Sequence, residues 1–268
     1  MYWFIFISNS IILKKCENGI YQIPKSEKPP FDIKEWTHIQ ILPQINNTEC
    51  RAYSIYFPPT NLHKYKTVNL RDAYNLLPEV FYQMASKASE LIYWDSNTKY
   101  CGVCGSPMNW QTDISKQCPN CGKEIWPQVS PAIIVRIEKK ENNEECKILL
   151  VKAKNFTRNF YGLVAGFLET GETLEQCVER EILEETQLKV CNIKYFGSQY
   201  WPYPSGIMIG FTADYASGEL SLQLDELNAG GWFTINTLPD IPDKMSIARQ
   251  LIDDWIKKQN NNKHYWMV

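Results

Sequence analysis

The chain has 268 residues, 44% hydrophobic and 22% charged, an ordinary globular usage that excludes a disordered, collagenous or coiled-coil protein. Twenty-eight lysines and arginines against 30 acidic residues leave a net charge of −2, so no bulk positive field draws the chain to nucleic acid or anionic lipid, and any nucleic-acid contact must be local. This length predicts two domains, or one domain with small appendages.

The first apolar run, residues 2–7, is broken by Ser8-Asn9-Ser10 and followed by Ile11-Ile12-Leu13. It falls far short of the ~18 residues of a membrane span and lacks a basic leader and a small-residue cleavage site. It predicts a hairpin of two buried strands in a cytoplasmic protein with no membrane partner. A strand is expected at 52–57 and a helix at 76–94, in a stretch rich in aromatics and proline that carries no catalytic motif. Residues 98–127 are punctuated by glycine and cysteine and poor in aliphatics, too few to hold a core without a staple. From Ser130 the texture changes: strand 132–137, polar turn 138–145 and strand 147–151 predict a hairpin that opens a new domain. A helix at 173–185, strands at 193–199 and 207–215, and a helix at 246–259 follow, and the asparagine-rich 260–263 reads as a frayed tail.

Nine cysteines is an odd number, and a disulfide framework rarely looks like their scatter. Four of them form two knuckles, Cys101-Gly-Val-Cys104 and Cys118-Pro-Asn-Cys121, each followed by a glycine, Gly105 or Gly122, that permits the tight turn back. Four thiolates suit a closed tetrahedral Zn²⁺ site, whose filled coordination shell serves folding and not catalysis. The ribbon carries few basic residues (Lys99, Lys116, Lys123), which does not support a dedicated nucleic-acid reader. The three histidines, His38, His63 and His264, leave none from 64 to 263, so no histidine-based triad is centred there.

Arg180-Glu181-Ile182-Leu183-Glu184-Glu185 is the most informative stretch. At roughly 100° per residue, Glu181, Glu184 and Glu185 fall on one helix edge, where crowded like charges cost ~0.2–0.5 kcal/mol per pair. A divalent cation would reverse that cost, and oxygen-only ligands select Mg²⁺ or Mn²⁺. The other reading is a solvated acidic face. Arg180 can pin a carboxylate bidentately, and Val178 and Ile182 can anchor the helix to a sheet. Gly166 and Gly171 have phosphate-loop spacing, but Glu172 stands where that motif requires lysine, so any phosphate contact must be bridged by metal.

Gly166-x5-Glu172-x7-Arg180-Glu181-Ile182-x-Glu184-Glu185-x-Gln187-Leu188 resembles the Nudix box, Gx5Ex7REUxEExGU, with Gln187 in place of a glycine. The preceding cysteine ribbon, and Ser198-Gln199-Tyr200-Trp201-Pro202-Tyr203-Pro204-Ser205-Gly206, similar to SQPWPFPxS, narrow the resemblance to the NADH pyrophosphatase (NudC-type) branch. Glu226 and Trp232 match a late acidic ligand and a strand-borne tryptophan.

The resemblance implies an α+β protein: a small N-terminal α+β domain (1–97), a zinc ribbon (98–127) and a Nudix α/β/α sandwich with a mixed sheet (128–268). It implies divalent metals held by Glu181, Glu184, Glu185, Glu226 and the Ala165 carbonyl, with Glu184 or Glu185 as the catalytic base. Such ions neutralise a diphosphate, acidify water and stabilise the leaving phosphate oxygen. The residues implied to bind substrate are Arg71, Trp126, Phe167, Gln199, Tyr200, Trp201, Pro202, Tyr203, Pro204, Ser205, Gly206 and Ala248. The implied reaction is hydrolysis of NAD(H) to nicotinamide mononucleotide and AMP by a homodimer, and the same cleavage on NAD-capped RNA. The alternatives are another nucleoside diphosphate derivative such as ADP-ribose, or a non-catalytic nucleotide-binding domain.

Overall fold

The structure, a computed structural model, describes residues 1–17, 19–58, 64–140, 145–154 and 159–265, with side chains to residue 261. His63 and part of the 138–145 turn lie outside the described residues. Two compact units form: Met1–Gln128 with Pro202–Ser205, and Val129–Trp201 with Gly206–Val268. No described helix is long and apolar enough to cross a membrane.

In the first unit β1 (Tyr2–Ile7) and β2 (Ser10–Lys15) form the expected antiparallel hairpin, with Phe6 opposite Ile11. Phe4, Ile5, Ile11, Ile12 and Leu13 are all fully buried, which is why the run reads as continuously apolar instead of alternating. With β3 (Tyr21–Gln22), β4 (Gln40–Ile45), β5 (Thr48–Ser54) and β6 (Tyr65–Asn69) the sheet order is β3-β2-β1-β5-β4, β6 also pairing β2 and β1 running parallel to β5. The strand expected at 52–57 begins instead at Thr48, because Asn46 and Asn47, at φ 49° and 57°, turn the chain straight back from β4.

A short α1 (Leu70–Ala73) precedes α2 (Glu79–Asn97). The expected start at residue 76 gives way to Glu79, since Pro78 occupies the N-cap at ψ 147° and proline drives the residue before it out of helical geometry. Then β7 (Asn109–Thr112), β8 (Ser115–Gln117) and β9 (Glu124–Ile125) build the small ribbon sheet. Lys116 on β8 is almost fully buried: its ammonium meets Asp95 at 2.7 Å, donates to the Asp95 and Thr98 carbonyls at 3.1 Å, and lies 5.1 and 5.0 Å from the Trp94 and Trp110 ring centres. One cation thereby fastens the ribbon to the end of α2.

The second unit comprises β10 (Ser130–Lys139), β11 (Lys147–Ala153), β12 (Val164–Phe167), α3 (Leu174–Thr186), β13 (Lys189–Trp201), β14 (Gly206–Ser217), β15 (Leu227–Phe233) and α4 (Ile247–Tyr265). The sheet runs β13-β14-β10-β11-β15 with β12 on β10, and is mixed because β10 and β14 are parallel. Alternate residues face alternate layers: Ile133, Val135, Ile137, Leu149 and Val151 pack on Cys177, Val178 and Ile182 of α3, while Ile134, Ile148 and Leu150 pack on Leu251, Ile252 and Trp255 of α4. The result is the expected α/β/α sandwich, with Val178 and Ile182 as its α3 anchors. The frayed tail is corrected: the helical backbone runs on through 260–263 to Tyr265.

Thr173 and Gln176 form a capping box that starts α3, and Gln187 ends it in the left-handed region, at φ 60° and ψ 17°. The helix therefore stops where a box glycine would stop it. Both the Gln187 backbone N–H and its side-chain amide donate to the Leu183 carbonyl, at 2.9 and 3.0 Å. Gln187→Gly should relieve backbone strain of about 1 kcal/mol, seen as a rise of roughly 2–4 °C in Tm by calorimetry; an unchanged or lower Tm would show the side-chain bond to be the stronger effect.

Candidate active site and metal centre

The two cysteine knuckles repeat one pattern. Gly105 and Gly122, both at φ 75°, donate their N–H groups to the carbonyls of Cys101 and Cys118 at 2.9 and 3.0 Å. Cys101 and Cys118 donate in turn to the carbonyls of Ser106 and Lys123, each at 2.8 Å. The four sulfurs all lie within 4.8 Å, with 3.6 Å between Cys101 and Cys121 and 3.4 Å between Cys104 and Cys118. Zn–S bonds near 2.3 Å give a tetrahedron with edges of about 3.8 Å, so the donor set and its spacing fit one tetrahedral ion. The Ser106 N–H holds the Cys104 thiol down, at about 5, favouring the thiolate that metal binding needs.

In the second unit the box loop folds against α3 through Arg180. Its guanidinium bridges both oxygens of Glu172, at 3.0 and 2.7 Å, and also reaches the Phe167 carbonyl (3.0 Å), Glu181 (2.9 Å) and Glu184 (3.1 Å). The bidentate partner is thus Glu172, outside the acidic arc, whose carboxyl Arg180 holds down at about 2. Glu172 is a clamp between loop and helix.

Gly166 on β12 has a steric reason. A Cβ there would lie 1.9 Å from the Glu181 carboxyl carbon, so only glycine lets that carboxylate rest against the strand beside Ala165. Gly166→Ala should displace Glu181 by about an ångström and lower kcat about 100-fold or more with the fold retained; a variant with unchanged kcat in a steady-state assay would contradict this.

Glu185 is 6% exposed, and its carboxyl is pushed up to about 8 by burial first, then by Glu181, Glu226 and Glu184. Among the described residues none bonds that carboxylate. Glu181 is likewise raised, by burial first and against the pull of Arg180. The loop carrying Glu226 is tied to the end of α3 by Gln223 N–H donating to the Glu185 carbonyl (2.9 Å) and Ser221 N–H to that of Thr186 (3.0 Å). The four carboxylates share one edge without closing on a common point; among the described residues the cysteines alone are already gathered as a ligand set. A buried, charge-crowded acid with no cation beside it fits a divalent ion held by oxygens.

The other expected site residues separate. Phe167 stands 67% exposed beside Gly166. Gln199 is fully engaged in the scaffold, donating to the Met245 carbonyl and accepting from the Ile247 N–H, each at 2.7 Å, which fixes the start of α4. Ala248 is buried in the α4 layer of the core, packed with Leu251 and Ile252. Gly206 opens β14 opposite Ser130, whose carbonyl a Cβ would meet at 3.2 Å. Tyr200 and Trp201 end β13. Arg71, Trp126 and Pro202, Tyr203, Pro204 and Ser205 belong to the first unit, where the Arg71 guanidinium stacks 4.6 Å from the Tyr203 ring centre. Tyr82, which sequence reasoning missed, joins its hydroxyl to that of Tyr203 at 2.6 Å. Only the fold brings those residues together. Thr173-x-x-Gln176 carries a capping-box signature, whereas Glu172 and Arg180, eight residues apart, are joined by the fold alone.

A family description reading NUDIX domain matches residues 127–255, and one reading NADH pyrophosphatase-like rudimentary NUDIX domain matches residues 1–94. The NAD-capped RNA hydrolase NudC of Pseudomonas aeruginosa is 39% identical over 66% of this chain, which spans 62% of that relative's length. Its namesake in Vibrio atlanticus is 40% identical over 70% of this chain and 68% of its own, and that of Chromobacterium violaceum is 38% identical over 68% of each. With the box carboxylates, the cysteine knuckles and the sandwich all in place, the chain belongs to the Nudix superfamily, in its NudC-type NADH pyrophosphatase family.

Proposed function

We propose that this protein is a hydrolase that adds water across the diphosphate of NAD(H), breaking the P–O–P link to release nicotinamide mononucleotide and AMP, and that it removes NAD caps from RNA 5′ ends by the same cleavage. The observation that carries this reading is the buried Glu185 carboxylate crowded by the charges of Glu181, Glu226 and Glu184, with the Glu181 carboxylate resting against Gly166. Glu181, Glu184, Glu185, Glu226 and the Ala165 carbonyl would hold Mg²⁺ or Mn²⁺, which neutralises the diphosphate and lowers the pKa of water when bound. Glu185, held basic by its surroundings, or the half-exposed Glu184 accepts the proton of the attacking water. Phe167 offers an exposed ring face for a nucleobase.

The four cysteines hold a structural Zn²⁺ in this reading, and the chain divides functionally into residues 1–97, 98–127 and 128–268. It works as a cytoplasmic homodimer. A second reading, hydrolysis of another nucleoside diphosphate derivative such as ADP-ribose, is favoured by Gly206, where the family signature carries a serine hydroxyl and the backbone leaves little room for one.

The test incubates the protein with NADH, NAD, ADP-ribose and diadenosine diphosphate, with Mg²⁺ or Mn²⁺, and resolves products by chromatography. Mononucleotide and AMP from NADH or NAD establish the first reading. Cleavage of the other compounds alone selects the second, and no cleavage leaves a nucleotide-binding domain.

A further inference from the structure

The first unit contains a cavity of about 500 Å³ that the hydrolytic chemistry does not use. It is lined by Ser54 at the end of β5 and Ile55 just after it, by Tyr65 at the start of β6, and by residues of segments 30–37 and 56–58. Four aromatic rings line it. Tyr65 is held edge-on to Phe31 with centres 4.8 Å apart, whereas Tyr56 and Phe57 stand 64% and 78% exposed. Two exposed aromatics on adjacent residues leave apolar area in water that a stacking ligand would cover.

Charge completes the pattern. Lys34 and Lys64 are set against the single carboxylate of Asp32, so the lining is net positive in a chain whose overall charge is −2. Thr37 and Ser54 supply hydroxyls that bond phosphate or ribose. A volume of this size is right for one nucleotide. Ring faces with flexible ammonium groups beside them recognise an unpaired base and its phosphate with little sequence preference. The near-neutral chain needs such a local cationic spot if it is to hold RNA.

We infer that this cavity binds one nucleotide of single-stranded RNA, stacking the base on Tyr56 or Phe57 and pairing a phosphate with Lys34 or Lys64. The site rests on the capped-RNA part of the proposed function but is read out without turnover.

An uncapped, 5′-phosphorylated single-stranded RNA octamer is titrated into wild type, Tyr56→Ala/Phe57→Ala and Lys34→Glu/Lys64→Glu by fluorescence anisotropy. All four substituted residues lie outside the acidic edge and on exposed or half-exposed surface, so the fold is retained. The expected result is a Kd raised about tenfold or more in each variant, a steep salt dependence in wild type that flattens in the lysine variant, and an unchanged kcat/KM on free NAD. Equal octamer affinity in all three proteins overturns the inference. So does AMP binding wild type as tightly as the octamer and losing that affinity in Tyr56→Ala/Phe57→Ala, which would make the cavity a free-mononucleotide site. If wild type cleaves no NAD, the functional reading fails while the binding arm still decides the cavity.

Discussion

Glu185→Gln is expected to lower kcat at least 1000-fold while leaving the fold intact. Glutamine has the shape of the carboxylate it replaces, and the position is almost fully buried, so packing survives. What disappears is the negative charge that burial and three neighbouring carboxylates make costly, which is the charge a divalent cation requires. Loss of a first-rank metal ligand or base removes stabilisation present only in the transition state. A variant within tenfold of wild type, with Mg²⁺ or Mn²⁺ saturating, would remove Glu185 from the chemistry.

The same residue sets a pH dependence whose sign is opposite to that of an ordinary paired carboxylate. Its ordinary value is 4.5 and its value in the fold about 8, so between these pH values the native state binds more protons than the unfolded chain. Stability without added divalent cation therefore falls as pH rises through that window, by on the order of a few kcal/mol, and levels off above it. Thermal melts from pH 5 to 9 should show this fall in wild type, its suppression by Mg²⁺, and its absence in Glu185→Gln. A pH-independent melt difference between the two proteins would mean that the carboxylate is not buried as described.

The second large effect concerns the cysteine centre. Residues 98–127 hold three strands of four, three and two residues, too little to bury a core, so the ribbon's order rests on the four sulfurs and on Lys116. Structural zinc contributes ~10–16 kcal/mol in small zinc-dependent folds, far above what this segment can supply from packing. Cys118→Ser, at a 1% exposed position, should abolish zinc binding and unfold the ribbon. Atomic absorption should report one zinc per wild-type chain and none in the variant. The near-UV circular dichroism of Trp94 and Trp110, which pack edge to face at 5.5 Å, should collapse on chelation. A metal-free protein that keeps that signal would show the knuckles to be self-supporting.

Much of the second unit was legible in the sequence, because β10, β11, α3 and β14 are long and their apolar periodicity reports a two-sided core. β4 was not: it is an edge strand with Pro43 inside it and a register shift between Leu42 and Ile45, so its alternation is broken. β12 was hidden for another reason, being four residues long and bearing Gly166. The acidic arc of Glu181, Glu184 and Glu185 follows from helical spacing alone. Its meeting with Glu226 does not, since that depends on backbone bonds between the 221–223 segment and the end of α3. Ala248 shows another limit: nothing local in Ser246-Ile247-Ala248-Arg249 announces that it is buried in the α4 layer of the core.

β10 also acts as the ruler of the second unit. It aligns Ile133 with Gly166, Ile134 with Ala165 and Ser130 with Gly206, so the acidic edge and the start of β14 are both measured from one strand. Because successive residues of β10 face opposite helices, inserting a single residue would send its α3-facing side chains toward α4 and shift Gly166 away from Glu181. A change of length should accordingly be tolerated only in connections outside β10, such as the polar segment before β11, and a one-residue insertion within the strand should abolish folding of this unit.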